Sequence, residues 1–214
     1  REDLFLQSKY TYVTGQDQRL PYDPEAPLTE QVSQSFAQSL VHLNTNYLDS
    51  YVLHGPLYRE GFGAEDQEVW QAMEQLKTEG KTRYLGVSNV SAEQLSQLLS
   101  TGKMAPDFVQ NRCYASMGWD AEVRQICAKK GIRYQGFSLL TANRQLFAHP
   151  EFLTMTIQVG CTGAQLIFAL ARHLNILPLI GSTQVKHLQE DQAAMGLVLQ
   201  PEQVTRLEQL GLSA

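Results

Sequence analysis

The groups able to do chemistry in this chain gather at the ends of short apolar runs. Leu4-Phe5-Leu6-Gln7-Ser8 leads to Lys9, and Tyr51-Val52-Leu53 leads to His54. Leu85-Gly86-Val87 is followed by Ser88-Asn89, and Asp107-Phe108-Val109 by Gln110. The run from Ile132 ends at Phe137-Ser138, and the run Ile176 to Ile180 is followed by Gly181-Ser182. An ammonium and an imidazole can polarise a carbonyl or assist a proton transfer. Hydroxyls and amides donate and accept, and a phenyl ring stacks. Each group alone has an ordinary explanation. Lysine is mostly exposed and phenylalanine mostly core, Ser-Asn after a strand can cap a helix, and a histidine before Gly-Pro suits a turn. Their joint order carries the weight, because the ends of parallel strands converge on one rim.

Other chemistries find little support. His42 sits near a helix end, where a cationic ring suits the dipole. His149 precedes Pro150 in a loop, and His173 lies near the end of an apolar helix. No histidine pair has the i, i+4 spacing of a zinc motif with a central Glu, so no metal is expected. A Gly-x-Ser-x-Gly elbow for a serine nucleophile is absent. Cys113, Cys127 and Cys161 are odd in number and widely spaced, which disfavours a disulfide framework or a zinc site. They read as small buried hydrophobes in a reduced, cytoplasmic setting.

The elements that must position these groups follow from periodicity. Helices are predicted from a Thr29 cap to about Asn44, over Glu65–Glu79 with Gly80 as its stop, and after a Ser91 cap. Further helices are predicted over Ala121–Lys130, Thr162–Asn175, Val185–Met195 and Pro201–Leu210. Strands are predicted at Leu4–Ser8, Tyr47–Leu53, Tyr84–Val87, Asp107–Gln110, Ile132–Phe137 and Ile176–Ile180. The order is a strand–helix unit repeated six times, which implies a parallel sheet with helices outside it. A dinucleotide-binding Rossmann domain calls for Gly-x-Gly-x-x-Gly after its first strand, and Lys9-Tyr10-Thr11-Tyr12 stands there instead. Six units fit either an open doubly wound sheet or an incomplete α/β barrel of the (β/α)8 TIM type, and the missing glycine cluster counts against the Rossmann form of the first. In either case about six βα units form one domain over residues 1–214. The irregular stretch Tyr10 to Pro27 is too long for a mere connector and reads as a surface loop covering something.

The chain has 214 residues with 17 Lys+Arg against 22 Asp+Glu, a formal charge of −5. A hydrophobic share of 43% and a charged share of 18% exclude a disordered chain. Mild acidity and the lack of a basic stripe argue against nucleic acid as a partner. No apolar run approaches the ~20 residues of a membrane span.

The residues resemble the aldo-keto reductase family. The resemblance is carried by Leu4 to Lys9, by Ser39-Leu40 through Leu48-Asp49-Ser50-Tyr51-Val52-Leu53-His54, and above all by Gly80-Lys81-Thr82-Arg83-Tyr84-Leu85-Gly86-Val87-Ser88-Asn89. It continues through Gln110-Asn111, Gly136 to Leu140, and Ile180-Gly181-Ser182 to Glu190-Asp191. It implies a barrel that reduces aldehydes or ketones to alcohols by hydride transfer from a nicotinamide cofactor, with a small carbonyl compound as substrate. Lys9 and His54 resemble two members of the family's Asp-Tyr-Lys-His tetrad. Ser88, Asn89 and Gln110 resemble the residues that hold the nicotinamide carboxamide, and Phe137 replaces the usual stacking tyrosine. Ser138 and Leu140 resemble the pyrophosphate path. Gly181, Ser182, His187, Glu190 and Asp191 resemble the segment that grips the adenosine end.

Two departures follow. Members that prefer the phosphorylated cofactor carry Lys at the position of Gly181 and Arg at that of His187. The resemblance implies NADP(H), and the absence of a permanent cation and a bidentate fork at these positions makes NAD(H) the alternative. The resemblance also starts at the family's third strand, so the units carrying the tetrad Asp and Tyr are expected to be missing. Tyr10 and Tyr12 are the only nearby substitutes for the acid. Such a chain could instead be a truncated or non-catalytic barrel that binds nucleotide or a partner protein. Its open barrel edges could pair with another chain. Tyr58, Phe62 and Trp119 are candidate apolar walls for a substrate.

Overall fold

A computed structural model describes residues 1–213. Six strands hydrogen-bond in chain order: β1 (Gln7–Tyr10), β2 (Leu48–Leu53), β3 (Thr82–Ser88), β4 (Phe108–Arg112), β5 (Arg133–Phe137) and β6 (Ile176–Pro178). The helices are α1 (Leu28–His42), α2 (Ala64–Thr78), α3 (Ala92–Thr101), α4 (Ala121–Lys130), α5 (Pro150–Val159), α6 (Gly163–His173), α7 (Val185–Ala193) and α8 (Pro201–Ser213). A doubly wound sheet reverses its strand order at a switch point. The uninterrupted order here is that of a (β/α)8 barrel with six of its strands. The chain divides into two compact units, Arg1–Val109 with Lys129–Ile132, and Gln110–Ala128 with Arg133–Ala214.

In the first unit, β1 and β2 pair in parallel with Lys9 opposite Val52 and Tyr10 opposite Leu53. β2 and β3 continue the register, with Val52 opposite Gly86 and Leu53 opposite Val87. β1 starts later than the apolar run predicts, and Leu4 and Phe5 are exposed. The cause is Asp49, whose Oδ2 accepts the Leu6 N–H at 2.8 Å and takes it out of the ladder. Lys9 therefore lies inside the strand, and Tyr10 ends it. The first helix is capped by Pro27 and not by Thr29, because the Pro27 carbonyl accepts both Glu30 N and Gln31 N at 2.9 Å. Ser91 does cap α3, with its side chain accepting Gln94 N. The core gathers Phe36, Leu48, Tyr51, Val52, Trp70, Met73, Leu85 and Leu95.

The expected Tyr10–Pro27 loop is pinned, not loose. Tyr10, Tyr12 and Tyr22 are buried and pack ring on ring, with centroids 5.3 and 5.6 Å apart. Tyr22 OH donates to Thr11 O at 2.7 Å, and Gln31 Nε2 donates to Pro24 O and Ala26 O.

In the second unit, β5 and β6 are parallel, with Tyr134 opposite Ile176 and Gly136 opposite Pro178. β6 stops at Pro178, short of the predicted Ile180, and β4 runs past Gln110 to Arg112. Gln110 therefore lies inside a strand, and Gly181-Ser182 sit beyond one. The sequence reading missed α5, which starts at Pro150 and is capped by His149, whose ring accepts Glu151 N. Gly160, at φ 72°, ends it. Thr162 then opens α6 with a reciprocal capping box to Gln165. The buried Asn143 ties the loops together, donating to Cys113 O and Leu139 O and accepting Ala115 N. No single helix among the described residues is long and apolar enough to cross a membrane.

Candidate active site

The strand register explains which first-unit residues share a face. Side chains alternate along a strand, so Lys9, Val52 and Gly86, aligned across the three strands, lie on one side. His54 and Ser88 are two residues beyond Val52 and Gly86 and return to that side. Lys9 is half-buried, and burial holds its ammonium below the ordinary lysine value. His54 follows β2, and its backbone N–H donates to Tyr10 O at 2.8 Å. Its imidazole titrates below the ordinary value, first from desolvation and then from the positive charge of Lys9. Thr11 Oγ1 lies 2.9 Å from His54 Nδ1 and fixes the ring, leaving Nε2 for another partner.

Asn89 adopts a left-handed backbone at φ 54°, where asparagine is tolerated better than most side chains. There its Nδ2 donates to His54 O at 2.7 Å. Ser88 closes β3 and is buried. A cavity of about 210 Å³ opens beside these groups, lined by Thr11, Tyr12, Thr14, His54, Gly55 and Asn89 among others. Lys9, His54 and Asn89 are thus brought together, and Lys9 makes no ion pair among the described residues.

Tyr10 and Tyr12 do not suit the role of substitute acid. Tyr10 OH donates to Gln31 Oε1 at 3.2 Å, and Tyr12 OH donates to Asp66 Oδ1 at 2.8 Å. Burial pushes both phenols well above their ordinary value, and the Asp66 carboxylate pushes Tyr12 further. An acid activated by a cation needs the opposite shift. Phe62 and Trp119 are also corrected as open substrate walls, since both are buried, while Tyr58 is exposed.

In the second unit, Ser138, Leu140, Gly181 and Asp191 line one cavity of about 210 Å³ with Leu139, Thr141, Leu179 and Ile180. Ser138 has φ 57°, and nothing lies within 4 Å of a Cβ built on Gly181. Burial raises the Asp191 carboxyl, and the charge of His187 opposes that shift. Ser182 Oγ accepts Gln184 N at 3.0 Å and lies 3.4 Å from His187 Nδ1. Phe137 ends β5 half-buried. Two expected residues already have protein partners. Gln110 is buried and donates to Gln135 Oε1 at 3.0 Å, and the Glu190 carboxylate pairs with Lys186 at 3.7 Å. Mostly apolar walls with a few hydroxyls and a carboxyl are what a small-molecule cleft presents. No cluster of three His, Cys, Asp or Glu suited to a metal occurs among the described residues.

Sequence reasoning missed Asp66 and Arg112. Asp66 is buried at the third position of α2 and accepts Tyr12 OH, Leu57 N and Gly63 N. The acidic residue three places after Gly63 was the available signal. Arg112 was hidden by ending β4 two residues early.

A sequence profile described as the Aldo/keto reductase family matches residues 1–146. The uncharacterized oxidoreductase YtbE of Bacillus subtilis is 28% identical over 98% of this chain and 68% of its own length. The NADPH-dependent alpha-keto amide reductase of Saccharomyces cerevisiae is 24% identical over 89% of this chain and 64% of its own. The crystal structure of an aldo-keto reductase from Klebsiella pneumoniae in complex with NADPH superposes at a TM-score of 0.80. It is 27% identical over 99% of this chain and 71% of its own. The chain spans about two thirds of the length of the curated relatives it matches.

Proposed function

The chain belongs to the aldo/keto reductase family, and we propose that it carries the larger part of an NADP(H)-dependent reductase of aldehydes or ketones. One observation supports this reading above the rest. Lys9 and His54 share a face at the strand ends, each desolvated, with Lys9 felt electrostatically by the imidazole. The chemistry that a nicotinamide would supply when bound is hydride for the carbonyl carbon. His54 Nε2, with Nδ1 engaged by Thr11, donates a hydrogen bond to the carbonyl oxygen as negative charge develops there. The Lys9 ammonium would lower the pKa of a hydroxyl acid set beside it, the part that the tetrad tyrosine takes in the family. The shifts at Tyr10 and Tyr12 leave neither as that hydroxyl.

The second-unit cavity has the composition to take the nucleotide. Ser138 and Leu140 would flank the pyrophosphate, Phe137 would stack on the nicotinamide, and Ser182 and His187 would meet the adenosine end. By resemblance to the family, Ser88 and Asn89 are the first unit's own carboxamide-binding candidates. Gln110 and Glu190 complete the proposed set, each with a protein partner already in place. With Gly181 and His187 in place of permanent cations, the preference for NADPH over NADH should be modest.

The test is a fluorescence titration of the 214-residue chain with NADPH and with NADH. Saturable micromolar binding of NADPH, less than about tenfold tighter than NADH, is the expected result. Absence of binding by both nucleotides would overturn the cofactor assignment. In a chain extended by the two N-terminal βα units of a family member, turnover of an aldehyde that is lost in Lys9→Met, with nucleotide affinity retained, would establish the role of Lys9.

A further inference from the structure

We infer that Arg112 forms an oxyanion-binding site at the rim of the second-unit cavity, for a phosphate of the nucleotide or a carboxylate on the carbonyl substrate. Naming those two sources rests on the function proposed above; the oxyanion site itself does not. Arg112 is the last residue of β4 and is exposed. An exposed arginine commonly finds a surface carboxylate, yet Arg112 makes no ion pair among the described residues. Its side chain instead folds over the end of β5. Nε donates to Ser138 Oγ at 3.2 Å, and Nη1 donates to Tyr114 OH at 3.3 Å. The guanidinium carbon lies 6.0 Å from the ring centroids of both Tyr114 and Phe137.

Two neutral hydroxyls and two ring faces thus hold the cation without cancelling its charge. A guanidinium carries five N–H donors, and only two are used here. Among the described residues no acceptor meets the Nη2 pair, and a planar fork of this kind matches carboxylate and phosphate oxygens. Ser138 is at once a partner of Arg112 and part of the lining of the 210 Å³ cavity, so the cation stands at that cavity's edge. The position is also a strand carboxyl end, where this fold keeps its chemistry. Gly181 and His187 leave the same cavity region without a permanent cation, and Arg112 supplies one.

The experiment is isothermal calorimetry on the 214-residue chain, with NADPH, inorganic pyrophosphate, pyruvate and methyl pyruvate as probes. Each is titrated into the wild type, Arg112→Ala and Arg112→Lys. Arg112→Ala should weaken binding of at least one anionic probe by about tenfold or more, as expected for a lost charge-assisted fork. Arg112→Lys should recover only part of that loss, because it keeps the charge and loses the fork. Weakening of NADPH and pyrophosphate alone identifies a phosphate site. Weakening of pyruvate alone, with methyl pyruvate indifferent, identifies a substrate carboxylate site. Anion affinities equal within twofold in all three proteins overturn the inference, as does absence of binding by every anionic probe in the wild type. Arginine-dependent pyrophosphate binding without NADPH binding would keep the oxyanion site and overturn the cofactor assignment. Cofactor binding untouched by either variant, with pyruvate also untouched, would do the reverse. Thermal midpoints within about 2 °C of the wild type confirm folded variants, and Arg112→Lys carries the test if the alanine variant unfolds.

Discussion

Removing the Asp66 carboxylate should destabilise the first unit by more than any other single polar change at the candidate site. The side chain is fully buried, and three donors converge on it. Tyr12 OH and Leu57 N both reach Oδ1 at 2.8 Å, and Gly63 N reaches Oδ2 at 3.1 Å. Asp66→Ala leaves all three without an acceptor. Each stranded donor costs roughly 1–3 kcal/mol, with Gly63 at the low end because its bond is the longest. A total of about 4 kcal/mol follows. At roughly 2–4 °C per kcal/mol for a chain of this size, the thermal midpoint should fall by about 8–16 °C. Asp66→Asn keeps one oxygen for Tyr12 and Leu57 and turns an amide toward Gly63 N. It should cost about 2 kcal/mol, the worth of one bond to a charged acceptor. Tyr12→Phe removes one of the three donors, so its effect should shrink when combined with Asp66→Ala. Calorimetric melting of the four variants measures these quantities. A midpoint for Asp66→Ala within about 2 °C of the wild type, or strict additivity with Tyr12→Phe, would refute the reasoning.

Two further predictions concern titration and reactivity. His54 should titrate below its ordinary value of ~6.5, and Lys9→Met should move it upward, because the positive neighbour that disfavours the imidazolium is gone. A proton NMR titration reads this, and an unchanged or lower value in the variant would contradict the assignment of Lys9 as a neighbour. Because the folded value is depressed, the unfolded chain binds this proton more readily. Stability from this group is therefore lost as the pH falls through the window below ~6.5 and regained as it rises. Burial pushes the Cys113 and Cys127 thiols up to about 12 and raises Cys161 less. In the native chain at pH 8, a thiol reagent should label Cys161, which is only half-buried, well before the other two. Equal labelling rates at all three would count against the described burial.

The elements were largely legible because the hydrophobic period marks them. α4 begins and ends where the spacing of Val123 and Cys127 places it, and Ser91 and Thr162 cap the helices they precede. The errors fall where a side chain competes with the ladder or where a strand end is fixed by its neighbour. Leu4 and Phe5 read as strand, but Asp49 takes the Leu6 N–H and delays pairing to Gln7. Gln110 read as a strand end because the apolar run stops there, yet β4 continues through Asn111 and Arg112. That two-residue difference hid Arg112 entirely. α5 was missed although Pro150, after the 3-10 turn Arg144–Ala148, marked its start and Gly160 its end. Lys9, His54 and Asn89 were legible because a parallel register turns strand ends into neighbours. Asp66 was not, because a buried acceptor is recognised by the donors around it, and these come from positions 12, 57 and 63.

Desolvation leads the causes that depress the titration of both Lys9 and His54, and the close packing of the strands beside them contributes to it. On their face of the sheet, Val52 and Gly86 stand level with Lys9 and one pleat before His54 and Ser88. A Cβ on Gly86 would come within 2.9 Å of Val52 Cγ2 and 3.2 Å of Phe108 O, so the bare glycine lets its neighbours pack closely. Val52 is fully buried and Phe108 nearly so. A cation beside such packing loses water on one side and keeps it on the other. This contributes to the desolvation of both residues while His54 remains exposed. The same one-sided burial suits a carbonyl oxygen that must be met by hydrogen-bond donors already stripped of part of their hydration, since less solvent then has to reorganise as charge develops. Packing at Gly86 and chemistry at His54 are in this sense one arrangement, set by the alternation of side chains along β2 and β3.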